Sequence, residues 1–402
     1  MATQRSSSLW LEYTAIATVP LVLVLGNSML VPILPEVKRH LHLTQLQTSL
    51  IITLFSVSAG LIIPIAGYLS DRFGRKAIII PSLIIYGAAG IVTGLGALWE
   101  SYGILIGFRA VQGLGAAGTA SIAMALVGDL YKDAQESQAL GLIEASNGSG
   151  KVISPILGSA LALLTWTAPF FAFPVFCALS LVAVIFLIKE PERKQKPQPL
   201  KTYIQNIGQI FKQQGRWLVP AFFAGALSLF ILFGILFYLS DILEEKPYHL
   251  KGIVKGLVLA IPLLGMVTTA YLTGSLIKKN GVLMRWLMNI GLLLMAISLG
   301  CTIFFYKNVY GFIALITVSS IGTGLLLPCL NTMITGTVEK AQRGMITSLY
   351  SSLRFLGVAF GPPLFSWMMD KSHRLIFIVV TVLSVIALIL VFLFIKPDKK
   401  VR

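Results

Sequence analysis

Acidic residues are scarce in this chain. Sixteen of its 402 residues are Asp or Glu, set against 32 Lys and Arg, and charged residues of both signs amount to only 12% while hydrophobic ones reach 56%. Too little polar surface remains for a soluble domain to face water, so the composition excludes one and implies an integral membrane protein. Cysteine is as sparse: Cys177, Cys301 and Cys329 all lie inside apolar runs, which excludes a disulfide framework or a thiolate metal cluster. The four histidines, His40, His42, His249 and His373, fall between apolar runs without metal-ligand spacing. They read as solvated loop residues, and no metal site is expected. The one glycine-rich segment of note, GLGAAG, lacks a P-loop lysine and lies within an apolar run, so no nucleotide site or other cofactor is implied. Without an ATP-binding module, any energy the protein uses would have to come from an ion gradient or another solute's gradient. The first residues lack a small-residue cleavage site after a short apolar core, so the first apolar run is expected to be a retained helix.

What the chain has in quantity is long apolar runs. A window of about twenty residues, the length that crosses a hydrocarbon core, finds twelve of them. They lie near 14–34, 48–69, 77–97, 102–128, 137–164, 168–189, 217–240, 256–277, 283–306, 309–334, 343–369 and 373–395. The net charge of +16 would suggest nucleic acid in a soluble protein, but here its distribution is topological and no nucleic-acid partner is expected. Of the Lys and Arg, 21 fall in the termini and even-numbered connections and 8 in the odd ones. Basic residues collect on the cytoplasmic side, so both termini are expected there, in a multi-pass protein of the cell membrane. The remaining three, Arg109, Lys151 and Arg354, sit inside spans.

The longest connection, residues 190–216, begins EPERKQKPQP and reads as a cytoplasmic linker between an N-terminal bundle, 1–189, and a C-terminal bundle, 217–402. Its second part repeats Leu200, Tyr203, Ile204, Ile207 and Phe211 among polar residues at helical spacing, as a short amphipathic helix on the membrane surface or a solvated linker helix would. The bundles repeat each other. Gly67, Leu69, Arg72 and Gly74 match Gly274, Leu276, Lys279 and Gly281 at an offset of 207, and Gly150 and Pro155 match Gly357 and Pro362 at the same offset. A shared offset at two places implies a duplicated six-helix unit, with a substrate site expected near the membrane midplane. Asp71 corresponds to Lys278, so the first copy of the polar elbow is the specialised one.

That elbow, GYLSDRFGRK, places Asp71, Arg72, Gly74, Arg75 and Lys76 between two apolar runs. It resembles the signature loop between helices 2 and 3 of the major facilitator superfamily. Two further stretches resemble the same family. The fourth run carries R-x-x-Q-G-x-G as Arg109, Gln112, Gly113 and Gly115, and the fifth carries an antiporter-like G-x-x-x-x-P-x-x-G as Gly150, Pro155 and Gly158, with Ser154 and Ser159 where the family has glycines. The resemblance covers essentially the whole chain and is greatest to the twelve-helix drug:H+ antiporter branch. It implies an all-α membrane fold of twelve transmembrane helices in two pseudo-symmetric six-helix bundles, working as a monomer with the proton gradient as energy source. It also implies that Gly67, Asp71, Arg72, Gly74, Arg75 and Asp129 form a cytoplasmic gate. Gly150, Pro155, Gly158, Gly357, Gly361 and Pro362 would be a conformational hinge.

The ionisable residues inside spans point to transport chemistry. Such groups are costly in lipid, at least ~2.5–3.5 kcal/mol for an arginine on insertion scales, and are functional candidates by default. Arg109 is open to two roles, a hydrogen-bond ladder between helices or proton coupling. Glu144 is the only acid well inside a run and shares a helix face with Lys151 two turns away. It is expected to carry the proton, unless it serves in a static ion pair. Lys151, Arg109, Arg354 and Asn147 are the expected substrate contacts. Three buried cations against one acid favour an anionic ligand. The function expected is therefore proton-coupled export of an amphipathic, anionic small molecule, a drug or siderophore-like metabolite. The partners are that molecule, protons and the lipid bilayer, and no enzymatic chemistry is expected. The alternatives are import of a small organic anion and a receptor that does not transport.

Overall fold

A computed structural model of the chain describes residues 2–190, 199–277, 280–337 and 340–396. Within these residues the regular elements are fourteen α-helices and one 3-10 turn. Ten spans are long and apolar enough to cross a membrane. Two more helices of 30 residues, Asp133–Ala162 and Lys340–Met369, complete the twelve. These two are the fifth and eleventh runs of the sequence. They miss the apolar criterion because they carry polar faces, with Glu144, Asn147 and Lys151 on one and Ser351, Ser352 and Arg354 on the other. A spanning helix keeps such a face only where protein or a wet cavity shields it from lipid.

The chain divides into two compact units, Met1–Gln198 with Lys251–Gly256, and Pro199–Leu250 with Leu257–Arg402. In the first unit the helices are α1 (Ala2–Ser28), α2 (Leu34–His40), α3 (Gln45–Phe73), α4 (Arg75–Leu98), α5 (Tyr102–Ala117), α6 (Ala120–Leu130), α7 (Asp133–Ala162) and α8 (Ala168–Leu187). In the second they are α9 (Leu200–Ile242), α10 (Gly252–Ile277, whose first turn clusters with the first unit), α11 (Gly281–Phe305), α12 (Val309–Thr337), α13 (Lys340–Met369) and α14 (His373–Phe394).

The internal repeat is visible in the helix pairing of each unit taken by itself. Helix α1 packs on α7 and α8 while α4 packs on α5 and α8; correspondingly, α9 packs on α13 and α14 while α11 packs on α12 and α14. In both units the first spanning helix is the most enclosed and the last among the most open. The open helices present apolar side chains outward, such as Leu179 and Phe186 on α8 and Ile389 and Phe392 on α14, as a lipid-facing surface requires.

Close packing explains the small residues of the antiporter-like motif. A Cβ at Gly158 would stand 2.0 Å from the Met29 carbonyl oxygen, and one at Gly357 would stand 2.2 Å from that of Ala226. Only glycine permits these approaches. A Cβ at Gly361 would stand 2.6 Å from the Phe230 carbonyl oxygen of α9, whereas one at Gly150 would meet the end of the Leu21 side chain of α1 at 2.8 Å; Pro155 and Pro362 lie buried within α7 and α13. Ser154, at the position matching Gly361, is fully buried and bonds its hydroxyl to the Gly150 carbonyl. That back-bond satisfies the polar group within its own helix, so the serine is accommodated where the family has glycine.

Several local expectations are modified. The fourth run is broken: α5 ends at Ala117 and α6 begins at Ala120, with Thr119 off helical geometry (φ −110°, ψ −91°) and its hydroxyl on the Ala116 carbonyl. The amphipathic stretch from Leu200 is continuous with the seventh run in one helix of 43 residues. The earlier part of the linker, 191–198, and the elbow counterparts Lys278 and Lys279 lie outside the described residues. Of the histidines expected to be solvated, His40 is exposed and stacks on Trp166 at 5.0 Å, whereas His373 is half-buried and its Nδ1 shares a 2.9 Å hydrogen bond with Tyr238 Oη.

Candidate functional site

The polar elbow is built by a glycine and an acid. Gly74 adopts φ +123°, a conformation L side chains avoid, and its N–H bonds to the Ser70 carbonyl, closing α3. The next helix starts at once. Its first N–H groups, those of Arg75 and Lys76, donate to the two carboxylate oxygens of Glu190 at 2.6 and 3.0 Å. An acid there satisfies orphan donors and complements the positive end of the helix dipole. Lys76 Nζ returns the contact, donating to the Ile185 and Ile188 carbonyls at the end of α8.

On this frame the Arg75 guanidinium joins α3 to α6. It donates to Asp71 and Ser70 on α3 and, through Nε, to Asp129 Oδ2 at 2.8 Å. The expected gate residues Asp71, Arg75 and Asp129 thus lie together, with Gly67 accepting from the Ser70 hydroxyl at 2.8 Å. Arg72 points elsewhere: it is exposed and lies over the Phe73 ring at 5.5 Å.

Deeper in the first unit, Arg109 is fully buried. Nε donates to the Ile51 carbonyl at 3.0 Å, Nη1 to Gln112 Oε1 at 3.0 Å and the Gly26 carbonyl at 3.5 Å, and Nη2 to Asn27 Oδ1 at 3.4 Å. The Phe55 ring lies 4.4 Å from its Cζ. Every one of these partners is neutral. The guanidinium ties α1, α3 and α5 together and spreads its charge over amide dipoles, which is the ladder role rather than an ion pair.

The face of α7 has a different character. Glu144 is exposed, Lys151 is half-buried, and between them Asn147 holds a buried Oδ1 with no hydrogen-bond partner. In the second unit, Arg354 on α13 lies over the Tyr350 ring at 5.4 Å. Both Arg354 Nε and Tyr350 Oη are buried and unpartnered. Asn147 and Arg354 are 207 residues apart, the offset of the internal repeat. Equivalent positions of α7 and α13 therefore each carry a polar atom that the fold leaves unsatisfied. Buried polar groups are almost always paired, and an orphan calls for an explanation such as a ligand.

Two functional candidates escaped the sequence. Glu190 was assigned to the linker, and its capping partner lies 115 residues away. Lys255, in the connection before the eighth apolar run, is 1% exposed and donates to the Pro32 carbonyl at 2.6 Å. Its signal was faint: it stands just outside the apolar window, beside Gly252 and Gly256, which open the helix earlier than hydropathy suggests.

Twelve spanning helices in two repeated bundles, a polar elbow and unsatisfied intramembrane groups define a membrane transporter. The Major Facilitator Superfamily profile matches residues 16–289 and 243–402, and the chain belongs to that family. It is 43% identical over 390 residues to the bacillibactin exporter of Bacillus subtilis (strain 168), covering 96% of each chain. It is 28% identical to the multidrug efflux protein YfmO of the same organism, covering 87% of this chain and 84% of that one, and 26% identical to the class C tetracycline resistance protein of Escherichia coli, covering 84% of each. Among solved structures, the human organic anion transporter MFSD10 (TETRAN) shares the fold at a TM-score of 0.74 and 20% identity, over 95% of this chain and 99% of that one.

Proposed function

We propose that the protein exports an amphipathic, anionic small molecule of the siderophore or drug type across the cell membrane, in exchange for protons. The observation that carries the anion assignment is the pair of unsatisfied groups at repeat-related positions, Asn147 Oδ1 and Arg354 Nε, with Lys151 one turn from Asn147. Each unit taken by itself presents an unmet group: an anionic oxygen would satisfy Arg354 Nε and a hydroxyl donor Asn147 Oδ1, whereas a cationic dye leaves Arg354 unpaired and repelled. The siderophore reading is supported by the kinship with a bacillibactin exporter, and the wider drug reading by the efflux relatives.

Glu144 is the proposed proton carrier. It is a carboxyl group in the middle of a spanning helix, exposed rather than locked in the core, so protons can reach it. A conformational cycle that changes the distance to Lys151, or occupies that lysine with substrate, switches the group between holding and releasing its proton. Asp71, Arg75 and Asp129 serve as the gate, on the cytoplasmic side together with both termini. The test is transport into everted membrane vesicles. Acidic, neutral and cationic amphiphiles are compared with and without an imposed proton gradient. Gradient-driven accumulation of acidic compounds is expected; accumulation only of cations, or none that responds to the gradient, would overturn the reading.

A further inference from the structure

The second unit carries a groove of about 370 Å³ between α11 and α14, lined by Trp286, Ile290, Leu293, Ile389, Phe392 and, as its one polar member, Asn289. It faces outward, since Trp286 is 62% exposed and Ile389 51%. An apolar groove on the outside of a membrane helix pair is ordinarily filled by whatever lipid is near. Here one end is chemically specific.

Arg285, one residue before Trp286, lays its guanidinium 5.5 Å from the Phe392 ring and uses Nη2 on the Phe392 carbonyl at 3.2 Å. Arg216 of α9 lies 5.8 Å from the Phe394 ring, and exposed Lys396 follows α14. Three cations thus surround the end of α14 that opens on the groove. Asn289 donates its amide N–H to the Arg285 carbonyl at 2.7 Å, and this leaves Oδ1 buried without a partner. The groove therefore offers, in order along its length, cationic N–H donors, a hydrogen-bond acceptor and an apolar wall.

We infer that this groove binds an anionic glycerophospholipid whose headgroup carries hydroxyl donors, of the phosphatidylglycerol kind. The phosphate meets Arg285, a headgroup hydroxyl donates to Asn289 Oδ1, and one acyl chain lies along Ile290, Leu293 and Ile389. Trp286, near the start of α11, is of the amphipathic aromatic type enriched at membrane interfaces.

The test is native mass spectrometry of the full-length protein released from mixed micelles with phosphatidylglycerol and phosphatidylcholine of identical acyl chains. The parent should retain phosphatidylglycerol about fivefold over phosphatidylcholine, the ratio equivalent to the ~1 kcal/mol that one cation contributes near an anionic surface. Arg285→Gln should abolish the preference. Ile389→Trp, which fills an outward-facing wall and so spares the fold, should lower retention of both lipids while Arg285 remains. Equal retention by the parent, a preference unchanged in Arg285→Gln, or retention of both lipids unchanged in Ile389→Trp, would overturn the assignment. So would a dimer of the parent that Ile389→Trp dissociates while lipid retention stays constant, since the groove would then belong to a second copy of the chain.

Discussion

The two units share a helix pairing and a register, but they treat the arginines inside their spans, Arg109 fully buried and Arg354 half-buried, in opposite ways. Arg109 of the first unit has four hydrogen bonds to neutral acceptors and an aromatic face beneath it. Arg354 of the second rests on Tyr350 with its Nε unpaired. The repeat puts Ile316 opposite Arg109 and Asn147 opposite Arg354, so neither charge was inherited by both copies. A saturated buried cation holds its own fold together. On the proposed reading, one left short of partners is held ready for a ligand, because leaving it unsatisfied otherwise has only a cost.

The sharpest way to break this contrast is to truncate both arginines. Arg109→Ala strands acceptors on α1, α3 and α5 at once, and at ~1–3 kcal/mol for each buried group left unpaired the thermal stability of the purified protein should fall by ~3 kcal/mol or more. Arg109→Lys should not restore it, since a single ammonium cannot reach acceptors in so many directions. Arg354→Ala should leave the unfolding temperature near the parent's. It should weaken binding of an acidic substrate by roughly 10- to 100-fold, the value of a charge-assisted hydrogen bond of ~1.5–3 kcal/mol, and change a neutral compound's binding far less. If the stability loss falls on Arg354 and the binding loss on Arg109, the contrast is reversed and the account fails.

A smaller effect on folding, though not on transport, is expected at the elbow. Asp71 and Asp129 are about half exposed, and exposed ion pairs contribute only ~0.2–1 kcal/mol. Asp71→Asn should therefore fold and insert normally while slowing the transport cycle; unchanged transport at normal expression would remove the gate role. Glu190→Gln should have the mildest consequence. It keeps one acceptor at the start of α4 but loses the charge, and a helix-terminus charge amounts to ~0.3–1 kcal/mol. A shift in thermal stability of that size, with transport retained, is the expected outcome.

Much of this was legible because membrane helices announce themselves. The spanning runs, the elbow and the buried Arg109 follow from apolar length, from a run of charges between apolar segments and from the rarity of charge inside them. Local chemistry was legible too: Asp71 and Arg75 are four residues apart on adjoining turns. What escaped was set by tertiary distance or by backbone detail. Glu190 caps a helix more than a hundred residues earlier, and no periodicity records that. Lys255 lies at the edge of a hydropathy window, where its charge outweighs the long aliphatic stem that lets it be buried. The break at Thr119 depends on one hydroxyl choosing a carbonyl, and the single helix from Leu200 on the absence of any breaker between Gly215 and Trp217 strong enough to stop it. The equivalence of Asn147 and Arg354 under the repeat was written in the 207-residue offset, but the two residue types differ, so identity matching passed over it.

The central claim is that binding of an anionic substrate is coupled to a proton on Glu144. It is tested most directly by adding an acidic amphiphile to purified protein in weakly buffered detergent and recording proton release. The parent should release protons in step with substrate saturation, and Glu144→Gln should bind the same compound without releasing them. Proton release from the Gln variant equal to the parent's would contradict the claim and assign the proton to another group.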